Sequence, residues 1–400
     1  MAKHHLSVRL IENNQKHFNS DALSGGTALS IDGKLCVNLR GRNLSCTACT
    51  NLCVSSALQL SEDTVTLNAD KCTACGACLP ACPTGVFSLH GFSPSHFLDE
   101  LNNHGEVHIH CSASTGKSEG FSIPCLYLLD ARLTAAAFAA GTRVFHLAGL
   151  HHCAQCDKGN AINHIIATHN RLTQWFGVDS APQMIIPTTL LTGQKKAHHR
   201  HEEQLPQMSR RQFLQQAGLR IVTGANPCSI PDEEDDTLRS SQGFNHLSIE
   251  HQRPVEYQSL LAEKMTKKIP ELPWIANEIP WYGRAINSEC NGCLVCGQRC
   301  PTGALQVEHT DTGRGISFKT ELCTDCGLCA QVCPMDAIKR YKIKDMAEVI
   351  APRSVLMYRH HSTCPRCAGD FLPQTEEETL CSACQNEQAL ENEWLTQWIQ

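Results

Sequence analysis

The cysteines are the residues of this 400-residue chain whose types and spacing most clearly indicate chemistry. Twenty-four of the 25 fall into six tight groups, and only Cys228 stands alone. Thiolates bind metals in their reduced, deprotonated form, so groups at this spacing indicate metal centres rather than a disulfide framework. The chain is therefore expected to hold several metal centres and to reside in a reducing compartment, the cytoplasm.

Two complete copies of a C-x2-C-x2-C-x3-C-P run lie in the C-terminal third of the chain. The copies are Cys290, Cys293, Cys296 and Cys300, and Cys323, Cys326, Cys329 and Cys333. The run resembles the bacterial 2[4Fe-4S] ferredoxin module, in which three thiolates of one copy and the fourth thiolate of the other hold each cluster. The proline after each fourth cysteine removes a backbone donor and stops local helix formation. The resemblance implies two clusters here, on whose binding the folding of these segments depends.

The same run recurs near the N-terminus with one departure. Cys72, Cys75, Cys78 and Cys82 form a complete copy, whereas Cys46, Cys49 and Cys53 form a partial one with Asn43 in the place of its first cysteine. Cys36, ten residues before Cys46, is the expected substitute because the intervening segment is polar and contains a glycine. We predict one cluster on Cys36, Cys46, Cys49 and Cys82, and another on Cys53, Cys72, Cys75 and Cys78. A three-iron cluster or an empty first site is the alternative.

Residues 96–190 have a different character. Glu106–Cys111 alternates like a strand, Cys125–Ala140 is a strong helix former that ends at Gly141, and Thr142–Ala148 indicates a second strand. In a right-handed β-α-β unit, the residues beyond the carboxyl ends of the strands face one crevice. We therefore expect Cys111, Cys125, Cys153 and Cys156 to meet in that crevice.

This middle segment resembles the delta subunit of methyl-viologen-reducing hydrogenases. The shared features are the cysteine after the first strand, Pro124-Cys125, and Cys153-x2-Cys156 followed by Gly159-Asn160. The resemblance implies a [2Fe-2S] cluster on the four cysteines, linking a hydrogenase to a heterodisulfide reductase. A zinc site or a dithiol/disulfide pair would use the same four residues.

A last group of cysteines lies near the C-terminus. It comprises Cys364, Cys367, Cys381 and Cys384, with thirteen residues between the two pairs. This is close to zinc-ribbon spacing and predicts two hairpins that enclose a structural zinc ion. A single rubredoxin-type iron would satisfy the same spacing. Nucleic-acid binding is disfavoured by the net charge of -6 and by the acidic segment between the two pairs.

These patterns together predict an α+β multidomain protein. The predicted parts are a ferredoxin-like module (1–95), an α/β domain with a four-cysteine site (96–190), a linker with helical pieces (191–270), a second ferredoxin module (271–345) and a zinc-ribbon-like tail (346–400). Cores this small are expected to depend on metal for part of their stability. No run of eighteen uncharged apolar residues is present, so no membrane span is expected.

Several clusters in one chain can pass single electrons, because their potentials are tuned separately over roughly -700 to +450 mV. We expect an iron–sulfur electron-transfer protein without a substrate site of its own, since no nicotinamide or flavin fingerprint follows a predicted strand. The arrangement resembles multi-cluster ferredoxin-like proteins that accompany bacterial formate dehydrogenases, which implies a formate dehydrogenase or a hydrogenase as redox partner. The alternatives are an accessory or maturation protein of such a molybdoenzyme, using its clusters structurally or as a redox sensor, and a cluster-dependent reductase of a small disulfide.

Overall fold

The computed structural model describes residues 28–41, 45–61, 65–114, 120–186, 251–266, 274–275, 278–373 and 378–398. These residues all belong to one compact unit. Cys228 and most of the predicted linker, residues 191–250 and 267–270, lie outside the described residues. Within the described part of the chain, no helix is long and apolar enough to cross a membrane.

Residues 28–92, the N-terminal module, combine two antiparallel strand pairs with short helices. Its elements are β1 (Leu29–Ile31), a 3-10 turn (Gly33–Leu35), α1 (Val37–Gly41), α2 (Ala48–Leu52), β2 (Leu58–Leu60), β3 (Val65–Leu67), α3 (Cys78–Ala81) and β4 (Phe87–Leu89). β1 pairs with β4, and β2 pairs with β3. Helices α2 and α3 pack against each other, and each ends at the fourth cysteine of a run, Cys53 or Cys82. The pairing of the first strand with the last brings the segment around Cys36 to the second run.

Residues 93–186, the central domain, contain a parallel sheet. Its elements are α4 (Pro94–Leu101), β5 (Glu106–Cys111), β6 (Phe121–Ile123), a 3-10 turn (Leu126–Leu128), α5 (Ala131–Ala139), β7 (Val144–Ala148), a 3-10 helix (Leu150–Gln155), α6 (Ile162–Phe176) and β8 (Gln183–Ile185). The strand order is β6-β5-β7-β8, with every pair parallel. The two predicted strands are neighbours, whereas β6 and β8, which extend the sheet on either side, were not predicted.

The helix predicted from Cys125 begins six residues later, at Ala131. The physical reason is Asp130, whose carboxylate accepts a hydrogen bond of 2.9 Å from the backbone N–H of Leu133 and caps the helix. Gly141, with φ of 120°, follows the end of the helix as predicted. Cys125 therefore lies before the turn that precedes the helix and does not begin the helix itself.

One helix of the predicted linker is part of the core. α7 (Glu256–Thr266) packs against α5, and its Leu261 and Met265 are fully buried. The Tyr257 hydroxyl also donates a hydrogen bond of 3.0 Å to the carbonyl oxygen of Leu128. Residues 256–266 thus cover the helical face of the central domain.

Residues 278–360, the C-terminal module, repeat the plan of the N-terminal module with longer strands. Its elements are β9 (Tyr282–Ile286), α8 (Val295–Arg299), β10 (Leu305–Thr310), β11 (Gly313–Phe318), a 3-10 turn (Thr320–Leu322), α9 (Leu328–Gln331), β12 (Ile338–Lys342), α10 (Met346–Ile350) and β13 (Ser354–His360). β9 pairs with β12, and β10, β11 and β13 form an antiparallel sheet in that order. The first strand of the predicted tail, β13, is therefore the third strand of this module's sheet.

Residues 361–398 form the tail. A short hairpin of β14 (Ser362–Thr363) and β15 (Asp370–Phe371) is followed by α11 (Ser382–Trp398). The prediction of two hairpins differs from this arrangement, because the second cysteine pair lies at the start of α11 rather than in a second hairpin. Ser382 to Trp398 contains no glycine or proline, so nothing in that stretch favours a turn over a helix.

Candidate iron–sulfur and metal centres

Four cysteines of the C-terminal module line one cavity. They are Cys300, Cys323, Cys326 and Cys329, which we call quartet V. Three come from the second run and the fourth from the end of the first run, as the sequence predicted. Burial raises the pKa of Cys323 to about 12, although the nearby Arg284 guanidinium opposes this shift. A thiol with this pKa is neutral at pH 7, so the site gains thiolate charge only when a metal replaces the protons.

The other four cysteines of this module form quartet IV, which comprises Cys290, Cys293, Cys296 and Cys333. Burial raises the pKa of Cys296 to about 12, and the thiolates of Cys329, Cys293 and Cys290 add to the shift. Cys333 packs against the same buried cluster of side chains, and α8 packs against α9. Cys293 is solvent-exposed, so quartet IV lies nearer to solvent than quartet V does.

The N-terminal module contains a matching cavity. Its sulfur-bearing residues are Cys36, Cys46, Cys49 and Cys82, which we call quartet I. Burial raises the pKa of Cys49 to about 12, and the neighbouring thiolates of Cys82, Cys46 and Cys36 add to the shift. Cys36 therefore stands where the missing cysteine of the first run would be needed.

Asn38 is the residue that holds this unusual ligand set together. Its side-chain Nδ2 donates to the carbonyl oxygen of Cys46 at 2.8 Å, and its Oδ1 accepts from the backbone N–H of Cys46 at 2.9 Å. Asn38 is 2% exposed and lies on α1, two residues after Cys36. The side-chain amide of Asn38 thus connects α1 by two hydrogen bonds to the loop that carries Cys46.

The remaining four cysteines of the N-terminal module form quartet II, which comprises Cys53, Cys72, Cys75 and Cys78. Burial raises the pKa of Cys78, and the thiolates of Cys75 and Cys72 raise it further, so these three sulfurs are neighbours. Cys53 ends α2, which packs on the helix that begins at Cys78. The grouping of Cys53 with these three cysteines is the exchange of fourth cysteines that the sequence predicts.

The fourth cysteine of every run accepts a hydrogen bond from a backbone N–H four or five residues later. The donor and acceptor pairs are Ala57 to Cys53 at 3.3 Å, Val86 to Cys82 at 3.4 Å, Leu305 to Cys300 at 3.4 Å and Ala337 to Cys333 at 3.3 Å. Ser55, Thr84 and Thr302 also bring a hydroxyl to within 3.6–3.7 Å of the sulfur two residues earlier. Met335 occupies the corresponding position after Cys333. Hydrogen bonds to ligating sulfur stabilise its negative charge, and quartet IV lacks the hydroxyl.

Quartet III lies at the carboxyl end of the parallel sheet and comprises Cys111, Cys125, Cys153 and Cys156. Burial raises the pKa of Cys125 to about 12, and the thiolates of Cys75, Cys111 and Cys153 raise it further. The predicted crevice therefore brings at least three of these cysteines together. Gly76, next to Cys75, packs against the side chain of Leu128, three residues after Cys125, so quartet III adjoins quartet II.

The tail cysteines Cys364, Cys367, Cys381 and Cys384 form quartet VI, whose sulfur atoms all lie within 4.8 Å of one another. The backbone N–H groups of Cys381 and Cys367 lower the pKa of Cys364, and the N–H of Cys381 lies 3.4 Å from its sulfur. Sulfur atoms this close leave room for a single ion, with no space for a cluster of several irons. Among the described residues, no other set of four cysteines is drawn this close together.

A further group of potential ligands was not predicted from the sequence. Glu106, His108 and His146 lie together on the outer face of β5 and β7. The two imidazole rings stack at 4.4 Å with an interplanar angle of 10°. A metal ion must lie near the plane of each ring that binds it, so two parallel stacked rings do not share one ion in this arrangement.

Sequence reasoning also missed two charged residues near the clusters. Arg40 and Arg284 are 2% and 4% exposed, and each lies beside thiolates of quartet V that act on its pKa. Arg284 donates a hydrogen bond of 2.6 Å to Asp325. Only tertiary structure identifies such residues, because nothing in the sequence around either arginine distinguishes it from a surface arginine.

Two family models match this chain within the modules described above. A model of a 4Fe-4S dicluster domain matches residues 289–337, and a model of a 4Fe-4S binding domain matches residues 65–88. The prediction of two ferredoxin-type domains is thereby confirmed, and the matches support an iron–sulfur electron-transfer role.

A relative from the archaeon Methanocaldococcus jannaschii is also similar. This uncharacterized ferredoxin is 36% identical to the chain over 63 residues, which make up 16% of this chain and 94% of the ferredoxin. The similarity thus spans nearly the whole of a small ferredoxin, and this protein belongs to the ferredoxin family.

Proposed function

We propose that this protein is a multi-centre electron relay in which quartets I, II, IV and V each hold one [4Fe-4S] cluster. The observation that carries the proposal is the pair of cavities each lined by four cysteines, which come from two separate runs in one cavity and from two runs plus Cys36 in the other. A [4Fe-4S] cluster exchanges single electrons at a potential that its hydrogen bonds, burial and surrounding charge determine. The residues present supply the thiolates, the backbone N–H donors and the apolar walls that such a cluster needs.

The protein's own groups determine what the relay does. The backbone N–H donors to Cys53, Cys82, Cys300 and Cys333 spread the negative charge of the ligating sulfurs. The apolar side chains around the cavities exclude water, which strengthens every charge interaction inside them. The exposed Cys293 supports quartet IV as an end of the relay that a partner protein approaches.

Quartet III is proposed to hold a [2Fe-2S] cluster, as its resemblance to the hydrogenase delta subunit implies. The contact of Gly76 with Leu128, which brings the two quartets together, supports electron exchange with quartet II. Quartet VI is proposed to hold a structural zinc ion, because its four sulfurs lie close enough for one tetrahedral ion. The relay would then end at quartets III and IV, with quartet VI outside the path.

The proposed redox partner is an oxidoreductase such as a formate dehydrogenase or a hydrogenase. This part of the proposal rests on the resemblances in the sequence. Two cluster-bearing ends in one chain fit a protein that connects a donor to an acceptor and carries no substrate site of its own. The same fold would serve an accessory protein if the clusters did not change oxidation state.

The test is iron, sulfide and zinc analysis of the anaerobically purified full chain, followed by EPR during a stepwise redox titration. Four [4Fe-4S] clusters require about sixteen irons, and a [2Fe-2S] cluster adds about two. We expect these irons, one zinc, and signals that appear reversibly at low potential. Clusters that stay silent over the whole titration would refute the relay and favour the accessory role, which a stable complex with an apo-enzyme would then support.

A further inference from the structure

The two ferredoxin-type modules touch along α1 and α9, in a contact that we call the junction. Gly41, at the end of α1, approaches α9 so closely that a Cβ atom there would lie 3.1 Å from Leu328 Cδ1 and 3.4 Å from Gln331 Oε1. α1 begins one residue after Cys36, and α9 contains Cys329. The junction therefore places quartet I next to quartet V.

Arg40 spans the junction from one module to the other. Its backbone N–H donates to the carbonyl oxygen of Cys36 at 3.0 Å, within the N-terminal module. Its guanidinium reaches the C-terminal module, where Nη1 donates to the carbonyl oxygen of Arg299 at 3.1 Å. Arg299 makes the converse hydrogen bond, in which its Nη1 donates to the carbonyl oxygen of Arg40 at 3.3 Å. Arg299 directly precedes Cys300, so the contact joins the two quartets through their own ligand segments.

Two further hydrogen bonds fix the guanidinium in place. Nε donates to the carbonyl oxygen of Lys34 at 2.6 Å, and Nη2 donates to that of His251 at 2.6 Å. The side chain thus binds three separate chain segments through neutral acceptors. Among the residues that the structure describes, no carboxylate forms an ion pair with Arg40. Asp32, whose charge acts on it, pairs with Arg253 at 3.6 Å instead.

A buried cation without a carboxylate partner is costly unless another negative charge lies nearby. Burial lowers the pKa of Arg40, and the thiolates of Cys300 and Cys326 oppose this shift. The guanidinium remains charged at any physiological pH. The negative charges that act on it are those of the Cys300 and Cys326 thiolates of quartet V and of Asp32, and its backbone N–H bonds to Cys36 of quartet I.

We propose that Arg40 is a positioning residue that joins the two modules into one electron path, which runs through quartets IV, V, I, II and III. Its positive charge raises the reduction potential of the centres on both sides of the junction, those of quartets V and I. The inference rests on the relay proposed above and adds the order of its centres. A fixed positive charge in a dry contact favours an added electron on either side, and it costs no reorganisation when the electron moves. Electrons would then rest preferentially at the junction rather than at the ends.

The test uses three variants of the full chain. Arg40→Gln removes the charge, Arg40→Lys keeps the charge but loses the planar fork, and Arg143→Gln is the matched control for charge. Arg143 is exposed and lies beside β7 at the amino ends of the parallel strands, opposite the cysteines. For each variant, iron content and the midpoint potentials of the clusters are measured by EPR redox titration.

We expect Arg40→Gln to lower the equilibrium constant for reduction of the quartet I and quartet V centres at least tenfold. For a one-electron centre this is a fall of about 59 mV in midpoint potential. Arg40→Lys should stay within threefold of the unaltered protein, and Arg143→Gln should not differ from it. The signal that disappears in a Cys36→Ala variant identifies quartet I.

A fully loaded Arg40→Gln variant with unchanged potentials would overturn the proposal. If Arg40→Gln loses iron, the Arg40→Lys variant is used to test the role of the charge. A fully loaded Arg40→Lys protein whose equilibrium constants for reduction fall tenfold would show that the charge is not the cause. Loss of iron from both variants, with a loaded Arg143→Gln control, would also overturn the electrostatic role. Clusters that are silent in the unaltered protein would instead refute the relay itself.

Discussion

Asn38 offers the sharpest test of how quartet I is assembled. Its side chain makes two hydrogen bonds, of 2.8 and 2.9 Å, to the backbone of Cys46. Among the described residues, no other side chain of α1 forms a hydrogen bond to that loop. Asn38→Ala removes both bonds and leaves a carbonyl oxygen and an N–H without their partner. At about 1 kcal/mol for each bond, the loop should open about 2 kcal/mol more easily. This corresponds to an opening about 30-fold more frequent.

The assay follows iron loss from the anaerobic, fully loaded protein into an excess of a ferrous chelator. In Asn38→Ala, the iron of one cluster should leave about 30-fold faster, while the other irons leave at the unaltered rate. Asn51→Ala is the matched control, because Asn51 is exposed and its Nδ2 donates only to the Thr47 hydroxyl, at 2.9 Å. Equal rates in the two variants would refute the idea that Asn38 holds the ligand set together.

Three other predictions concern single residues of the clusters and their surroundings. Cys36→Ala should lower the iron content of the reconstituted protein by about four irons, the content of one [4Fe-4S] cluster, whereas Cys228→Ala should keep all of it. Thr302→Val should lower the potential of the quartet V centre in a redox titration, because it removes the hydroxyl that lies 3.6 Å from the Cys300 sulfur. Gly76→Ala should destabilise the loaded protein by at least about 1 kcal/mol in denaturant titration, because φ is 75° and the added Cβ would lie 2.6 Å from a leucine side chain of the central domain.

Each of these predictions has a result that contradicts it. Full iron in Cys36→Ala would show that another residue completes quartet I. An unchanged potential in Thr302→Val, with full iron content, would show that the hydroxyl does not act on the sulfur. Gly76→Ala with unaltered stability would mean that the contact between the N-terminal module and the central domain adjusts without cost.

The cysteine runs show how much of the candidate site follows from local spacing in the chain. Ligand spacing within a run is a local property, so the four cysteines of each complete run could be predicted as ligands from the sequence alone. The exchange of fourth cysteines followed from the same pattern, and the cavities lined by Cys300 and by Cys82 match it. The strands at Glu106–Cys111 and Val144–Ala148 followed from alternation, which is also local.

Other features depended on competition between local signals. The run from Cys125 to Ala140 has strong helix propensity throughout, yet the cap at Asp130 places the helix start at Ala131. Residues 256–266 lie in a stretch whose charged flanks resemble a linker, and tertiary packing against α5 makes them part of the core. Propensity is a weak signal in both cases, because caps and burial decide among conformations of similar local energy.

The sequence by itself determined that two parts of this chain are ferredoxin-type domains, and it predicted which cysteines would hold their clusters. Only the tertiary structure decided that Asn38 clips Cys46 into the cavity with Cys36, and that Arg40 lies buried between the two modules. The reason is the range of the interactions. A ligand run acts over a few residues, whereas the hydrogen bond from Arg40 to the carbonyl of Arg299 joins residues 259 positions apart and exists only once the modules pack together.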